Sequence, residues 1–112
     1  MTGFVTVLTT TASDDMAEGI AAALLNEGLA ACVQIVPIRS RYVWQGEVRR
    51  EAEQLLLIKT RQALFEVVRA KIRILHDYDT PEIITLPITA GDADYLGWLS
   101  DVTQKPGHLP PA

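Results

Sequence analysis

Two extended stretches in tandem, Ala31 to Gln45 and Glu47 to Thr60, meet at Gly46 and constrain this chain more than any other feature. Both are strand-like in composition, and glycine is a natural turn residue between them. Each arm has about 13 residues, so at ~3.3 Å per residue the hairpin reaches roughly 40 Å. A compact domain of 112 residues has a radius of gyration near 13 Å and a diameter of about 35 Å. The tip is therefore expected to project beyond its own core. It carries Tyr42, Val43 and Trp44, costly to leave in water, with Arg39, Arg41, Arg49, Arg50 and Glu51 interspersed. A long, partly apolar, unpaired edge is a liability for a lone molecule. Pairing with sister subunits in a closed ring removes it; the alternative is a hairpin that curls back over its own sheet.

The flanking elements complete a recognisable order. Phe4 to Thr10 is rich in β-branched residues and reads as a first strand. Ser13 is placed to cap a helix over Asp14 to Glu27, with Asp14 and Asp15 in its first turn and Gly28 as the C′ residue. Gln62 to Leu75 is a second amphipathic helix, with Leu64, Val68, Ile72 and Leu75 on one face. His76 to Thr80 reads as a loop and Pro81 to Ile88 as the last strand. Pro37 and Pro87 mark edges, bulges or strand ends, since neither can donate to a ladder. Asp92 caps a short final helix carrying Tyr95, Leu96, Trp98, Leu99 and Val102. The fold class is α+β, a ferredoxin-like βαββαβ sandwich with a long β2–β3 hairpin and a C-terminal helix. Right-handed crossovers place both main helices on one face of an antiparallel sheet, so something must cover the other. Residues 1–103 form a single domain, and 104–112, with Pro106, Gly107, Pro110 and Pro111, an irregular tail.

Composition narrows the partners. A net charge of −4, spread along the chain, argues against nucleic acid, which calls for a basic stripe. No apolar run of some 18 residues is present to cross a bilayer, and no export signal is visible. With Cys32 alone there is no internal disulfide, and the expected compartment is the cytoplasm.

The same residues resemble the CutA (divalent-cation tolerance) family. The likeness lies in Ala30-Ala31-Cys32-Val33, in Ser40, Tyr42 and Trp44 before Gly46, in Glu53, and in Leu57-Ile58-Lys59-Thr60. It continues through His76 and Tyr78 before Pro81-Glu82-Ile83, then Leu86-Pro87-Ile88, and Tyr95-Leu96 with Trp98. It runs from about Phe4 to Val102. The resemblance implies a tight homotrimer whose hairpins extend the neighbours' sheets, and a role in tolerance of copper and other divalent cations. It also implies a copper-ligand pattern: a cysteine near the end of the first strand and two adjacent histidines after the second helix. Here Thr9 and Leu75 stand at two of those three positions, and His76 alone remains.

His76 is thus the candidate metal ligand, imidazole being suited to copper or zinc; its alternative is a helix-end histidine bonded to nearby backbone. Cys32 reads as a small buried hydrophobe. Asp77, Asp79 and Glu82 read as a solvated loop that lacks the spacing of a calcium site. Tyr42 and Trp44 are expected at a subunit interface, or in a small-molecule pocket there, with Lys59, Tyr78 and Glu82 supplying its polar groups. Trp98 is expected in the core or as a lid. No nucleophile with its base and no phosphate-binding loop is evident, so no catalytic residue is assigned. The rival readings are a small-ligand sensor like the PII signalling trimers, and an enzyme acting at a subunit interface.

Overall fold

The computed structural model describes residues 1–105; the expected tail from Pro106 onward lies outside the described residues. The elements are β1 (Phe4–Thr11), α1 (Asp14–Asn26), β2 (Cys32–Trp44), β3 (Glu47–Arg61), a 3-10 turn (Gln62–Leu64), α2 (Phe65–Leu75), β4 (Ile84–Ile88) and α3 (Ala93–Val102). The strands form one antiparallel sheet in the order β2-β3-β1-β4. That order follows from the two crossover connections, each of which skips a strand position.

Alternation sets the two faces. Val5 and Val7 of β1 and Leu56 and Ile58 of β3 are buried against Ala17, Ile20 and Leu24 of α1 and Val68 and Ile72 of α2. Strand residues of opposite parity form the second face, where Phe4, Thr6 and Leu8 lie opposite Ile88, Leu86 and Ile84 of β4. Ile84 and Leu86 are half exposed. One end of this face is tied to α3: Arg61 donates to the Ser100 carbonyl (2.8 Å) and hydroxyl (2.7 Å) and to the Thr103 hydroxyl (3.0 Å). Its guanidinium also sits 5.7 Å from the Phe4 ring centroid.

The ends of α1 match their sequence signals. The Ser13 hydroxyl accepts from the Met16 N–H at 3.1 Å. Gly28 adopts φ +67°, its N–H donating to Leu25 O, while the Leu29 N–H returns to Leu24 O. This is the Schellman closure, sealed by burial of Leu24 and Leu29 together. A Cβ at Gly28 would also approach Gln104 Cγ to 2.9 Å. Because that side chain is flexible, the backbone dominates, and Gly28→Ala is expected to lower unfolding free energy by about 1–2 kcal/mol, read by chemical denaturation. Gln104, expected in the tail, is anchored here: its N–H donates to Gly28 O at 2.8 Å.

Several boundaries differ from expectation. The second helix opens with a tight 3-10 turn because no side chain caps it. The Gln62 N–H is instead held by Gly3 O. Leu75 is exposed and does not join Leu64, Val68 and Ile72 in the core. The last strand begins at Ile84, not Pro81: pairing with β1 stops at Leu8↔Ile84 although β1 runs on to Thr11 beside β3, and Pro81 has no N–H to give to a ladder. Pro37 causes no bulge: the β2–β3 register runs unbroken from Cys32↔Lys59 to Trp44↔Glu47. It is tolerated because β2 is an edge strand, and Pro87 likewise lies on the β4 edge. Trp98 is 43% exposed and stacks obliquely on Tyr95 at 5.6 Å; it is not a core residue of the chain.

The hairpin outruns the sheet. β1 pairs with β3 only as far as Thr11↔Gln54, leaving Glu47–Glu53 and Ile38–Trp44 paired with each other alone. The chain spans 43 Å along its longest axis, with a radius of gyration of 14.6 Å, above the roughly 13 Å of a compact domain of this size.

Candidate functional site

An open cleft of about 670 Å³ lies between the projecting hairpin and residues 78–82. It exists because the chain leaving α2 must pass the end of β1 to reach β4, beside the part of β2–β3 that has no other cover. Tyr42, Trp44, Tyr78 and Glu82 all line it, as grouped from sequence. Lys59 does not. It lies opposite Thr6 and Cys32 in the sheet, and its ammonium donates to Gln34 at 3.0 Å. Six residue steps along the strand separate it from Glu53 at the cleft, about 20 Å. Within one chain, therefore, Lys59 cannot act with Tyr78 and Glu82.

Residues not singled out as cleft residues complete the lining. Arg39, Arg41 and Arg49 bring positive charge against Glu51, Glu53, Asp79 and Glu82. Glu53 is the structural pivot: only 6% exposed, it accepts the Tyr78 hydroxyl at 2.9 Å. Burial, then this bond, holds the Tyr78 phenol well above the usual tyrosine range. Tyr42 is raised too, first by the Glu51 carboxylate beside it. The Tyr78 phenol is thus a neutral donor to Glu53. The signal for this arrangement was the alternation of acids and arginines along the hairpin, but only the return of Tyr78 shows which acid it serves.

His76 is buried and bonded on every side. Its backbone N–H donates to Ile72 O at 2.8 Å, ending α2. Nε2 lies 2.7 Å from Thr10 O, and Nδ1 accepts the Tyr78 N–H at 3.1 Å. Asp77 Oδ1 stands 3.5 Å from Nδ1. Asp77 and Asp79 are exposed, as expected for a solvated loop, and Cys32 is only half buried. Among the described residues, no three His, Cys, Asp or Glu side chains gather as a metal-holding group.

The copper pattern implied by the family does not fit these residues. Thr9 replaces the cysteine with a hydroxyl that is fully enclosed and lacks any hydrogen-bond partner. Leu75 offers no donor, and both ring nitrogens of His76 are engaged. The orphaned hydroxyl has its own consequence: removing an unsatisfied buried group relieves about 1–3 kcal/mol of desolvation. Thr9→Val is accordingly expected to raise the unfolding midpoint, measured by calorimetry.

Comparison with known proteins is consistent across sequence and structure. A family profile described as CutA1 divalent ion tolerance protein matches residues 5–102. The divalent-cation tolerance protein CutA of Thermus thermophilus is 48% identical over 98 residues, covering 87% of this chain and 95% of the relative. The chloroplastic protein CutA 1 of Oryza sativa is 41% identical over 102 residues; the match covers 90% of this chain and 58% of that longer protein. Among solved structures, Thermus thermophilus Cut A1 superposes with TM-score 0.88 at 46% identity, covering 90% of this chain and 99% of that one. Oryza sativa CutA1 gives 0.89 at 40%, covering 94% and 99%. No helix among the described residues is long and apolar enough to cross a membrane.

Proposed function

The chain belongs to the CutA1 divalent ion tolerance protein family, and from that premise we propose that it acts in the response to divalent cations, copper among them, as a homotrimer that meets the metal weakly or indirectly. The observation that carries the trimer is the hairpin. Fourteen of its residues, Ile38–Trp44 and Glu47–Glu53, pair only with one another. Val43 and Val48 at its tip are 72% and 70% exposed, and Trp44 is 44% exposed. The half-exposed Ile84 and Leu86 on the open sheet face add to the uncovered apolar surface. Three copies closing a ring would cover hairpin and face together, with no free end. The family takes its name from divalent-ion tolerance, and no reaction is assigned to the chain.

Light scattering and sedimentation test this directly. Three chains of 12.3 kDa make a particle of about 37 kDa, expected to persist at nanomolar concentration as obligate interfaces do. A lone 12.3 kDa species would end the proposal.

A second reading, the small-ligand sensor of PII type, draws on the cleft, which offers three arginines and three aromatic rings, two of them phenols. Calorimetry with copper, zinc and adenine nucleotides separates the two: micromolar nucleotide binding would favour the sensor. We place the protein in the cytoplasm, on the strength of its single cysteine. The rice relative is named for the chloroplast and one from Archaeoglobus fulgidus for the periplasm, so cell fractionation decides it.

A further inference from the structure

We propose that His76 is a positioning residue: its imidazole buckles the turn after α2 to the end of β1, delivering the Tyr78 hydroxyl to Glu53 at the rim of the cleft, and it does not ligate a cation. The assignment comes from what faces each nitrogen. Nε2 points at a carbonyl, Thr10 O at 2.7 Å, so it must carry the proton and donate. Nδ1 accepts the Tyr78 backbone N–H at 3.1 Å, a nearer partner than the exposed Asp77 Oδ1 at 3.5 Å, so it presents its lone pair. One tautomer satisfies both, the neutral ring protonated at Nε2.

A metal binds imidazole through a lone pair, and this ring has none to spare. At Nδ1 a cation would displace the Tyr78 N–H; at Nε2 it would displace a proton and then confront a carbonyl. The side chain is also fully enclosed, with the Tyr78 ring packed against it at 4.6 Å between centroids. Together with its N–H to Ile72 O, His76 fastens three pieces at one point: the end of α2, the end of β1 and the turn. The next two residues carry that constraint to the cleft, where the Tyr78 hydroxyl satisfies the buried Glu53 carboxylate at 2.9 Å. Without that donor, the largely buried Glu53 carboxylate would lose the hydrogen bond to its Oε2, which is costly to leave unmade.

The consequence for the cleft rests on the proposed function, but the buckle is a property of one chain, so the two fail separately. The test uses the full-length protein, with nitrogen NMR of the His76 ring and titrations with zinc and then copper. The expected result is a protonated Nε2 and a bare Nδ1, unmoved by one equivalent of zinc. His76→Phe should leave copper affinity unchanged while raising amide exchange at Tyr78 tenfold or more. His76→Gln, which keeps a donor and an acceptor, should restore part of that protection. A zinc-dependent shift of either ring nitrogen, or a tenfold loss of copper affinity in His76→Phe, would make His76 a ligand and overturn the proposal. Unchanged exchange at Tyr78 in His76→Phe would equally overturn the positioning role. If that variant does not fold, the wild-type ring spectrum still decides the tautomer and the ligand question. A 12.3 kDa particle would count against the trimer alone.

Discussion

Leu86→Lys is expected to give a folded chain of 12.3 kDa that no longer self-associates. Leu86 lies on β4 directly opposite Thr6, on the face turned away from α1 and α2, and is 50% exposed. In a lone chain a lysine there lays its stem along the sheet and keeps its ammonium in water, so the cost to the monomer stays within about 0.5 kcal/mol. In the proposed ring, three such ammonium groups would enter an apolar interface, each without a partner and each several kcal/mol unfavourable after relaxation. The particle mass should fall from about 37 kDa, three chains of 12.3 kDa, to that of one chain. The unfolding midpoint should fall with it and lose its dependence on protein concentration. Sedimentation velocity with far-UV dichroism reads both. A variant that keeps the full mass at nanomolar concentration would show that this face is not what holds the copies together.

How much of this was legible in the sequence depends on the range of the interaction. Local signals carried far: Ser13, Gly28 and Asp92 each occupy the cap position their chemistry suggests, because capping involves only neighbouring residues. The hairpin was legible because its length and its glycine lie in one continuous stretch. Its turn was less so. Gln45 joins Gly46 at positive φ, 51° and 78°, completing a two-residue loop of the I′ kind, a place where asparagine is the usual signal. The projecting acids and arginines were visible as a pattern but not as a cleft, since their cover comes from residues 78–82. His76 shows the limit most sharply. A helix-end histidine with backbone partners was one of two readings, yet the partner that fixes its tautomer is Thr10, 66 residues away. Lys59 and Glu82 were grouped because both are polar residues near apolar ones. Strand spacing separates Lys59 from the cleft, and no composition rule carries that distance.

One strand, β3, should respond to truncation in two different ways along its length. Ile58 is fully buried between Val7 and Val33 across the sheet and belongs to the core under the helices. Ile58→Ala removes methyl and methylene groups where neighbours relax only partly, so it should cost about 2–5 kcal/mol. Because that core lies within one chain, the loss should be the same in the Leu86→Lys monomer as in the assembled protein. Val48, ten residues earlier on the same strand, is 70% exposed and pairs only with Val43. In the monomer, Val48→Ala should change stability by less than about 0.5 kcal/mol. In the ring, where the hairpin tip is proposed to lie against a neighbour, its cost should rise above about 1 kcal/mol, as for a buried methyl truncation. Denaturation of both variants in both backgrounds separates a core that belongs to the chain from a hairpin completed by its copies. Should Val48→Ala prove as silent in the assembly as in the monomer, the tip rests on no neighbour, and the hairpin's length would need another cause.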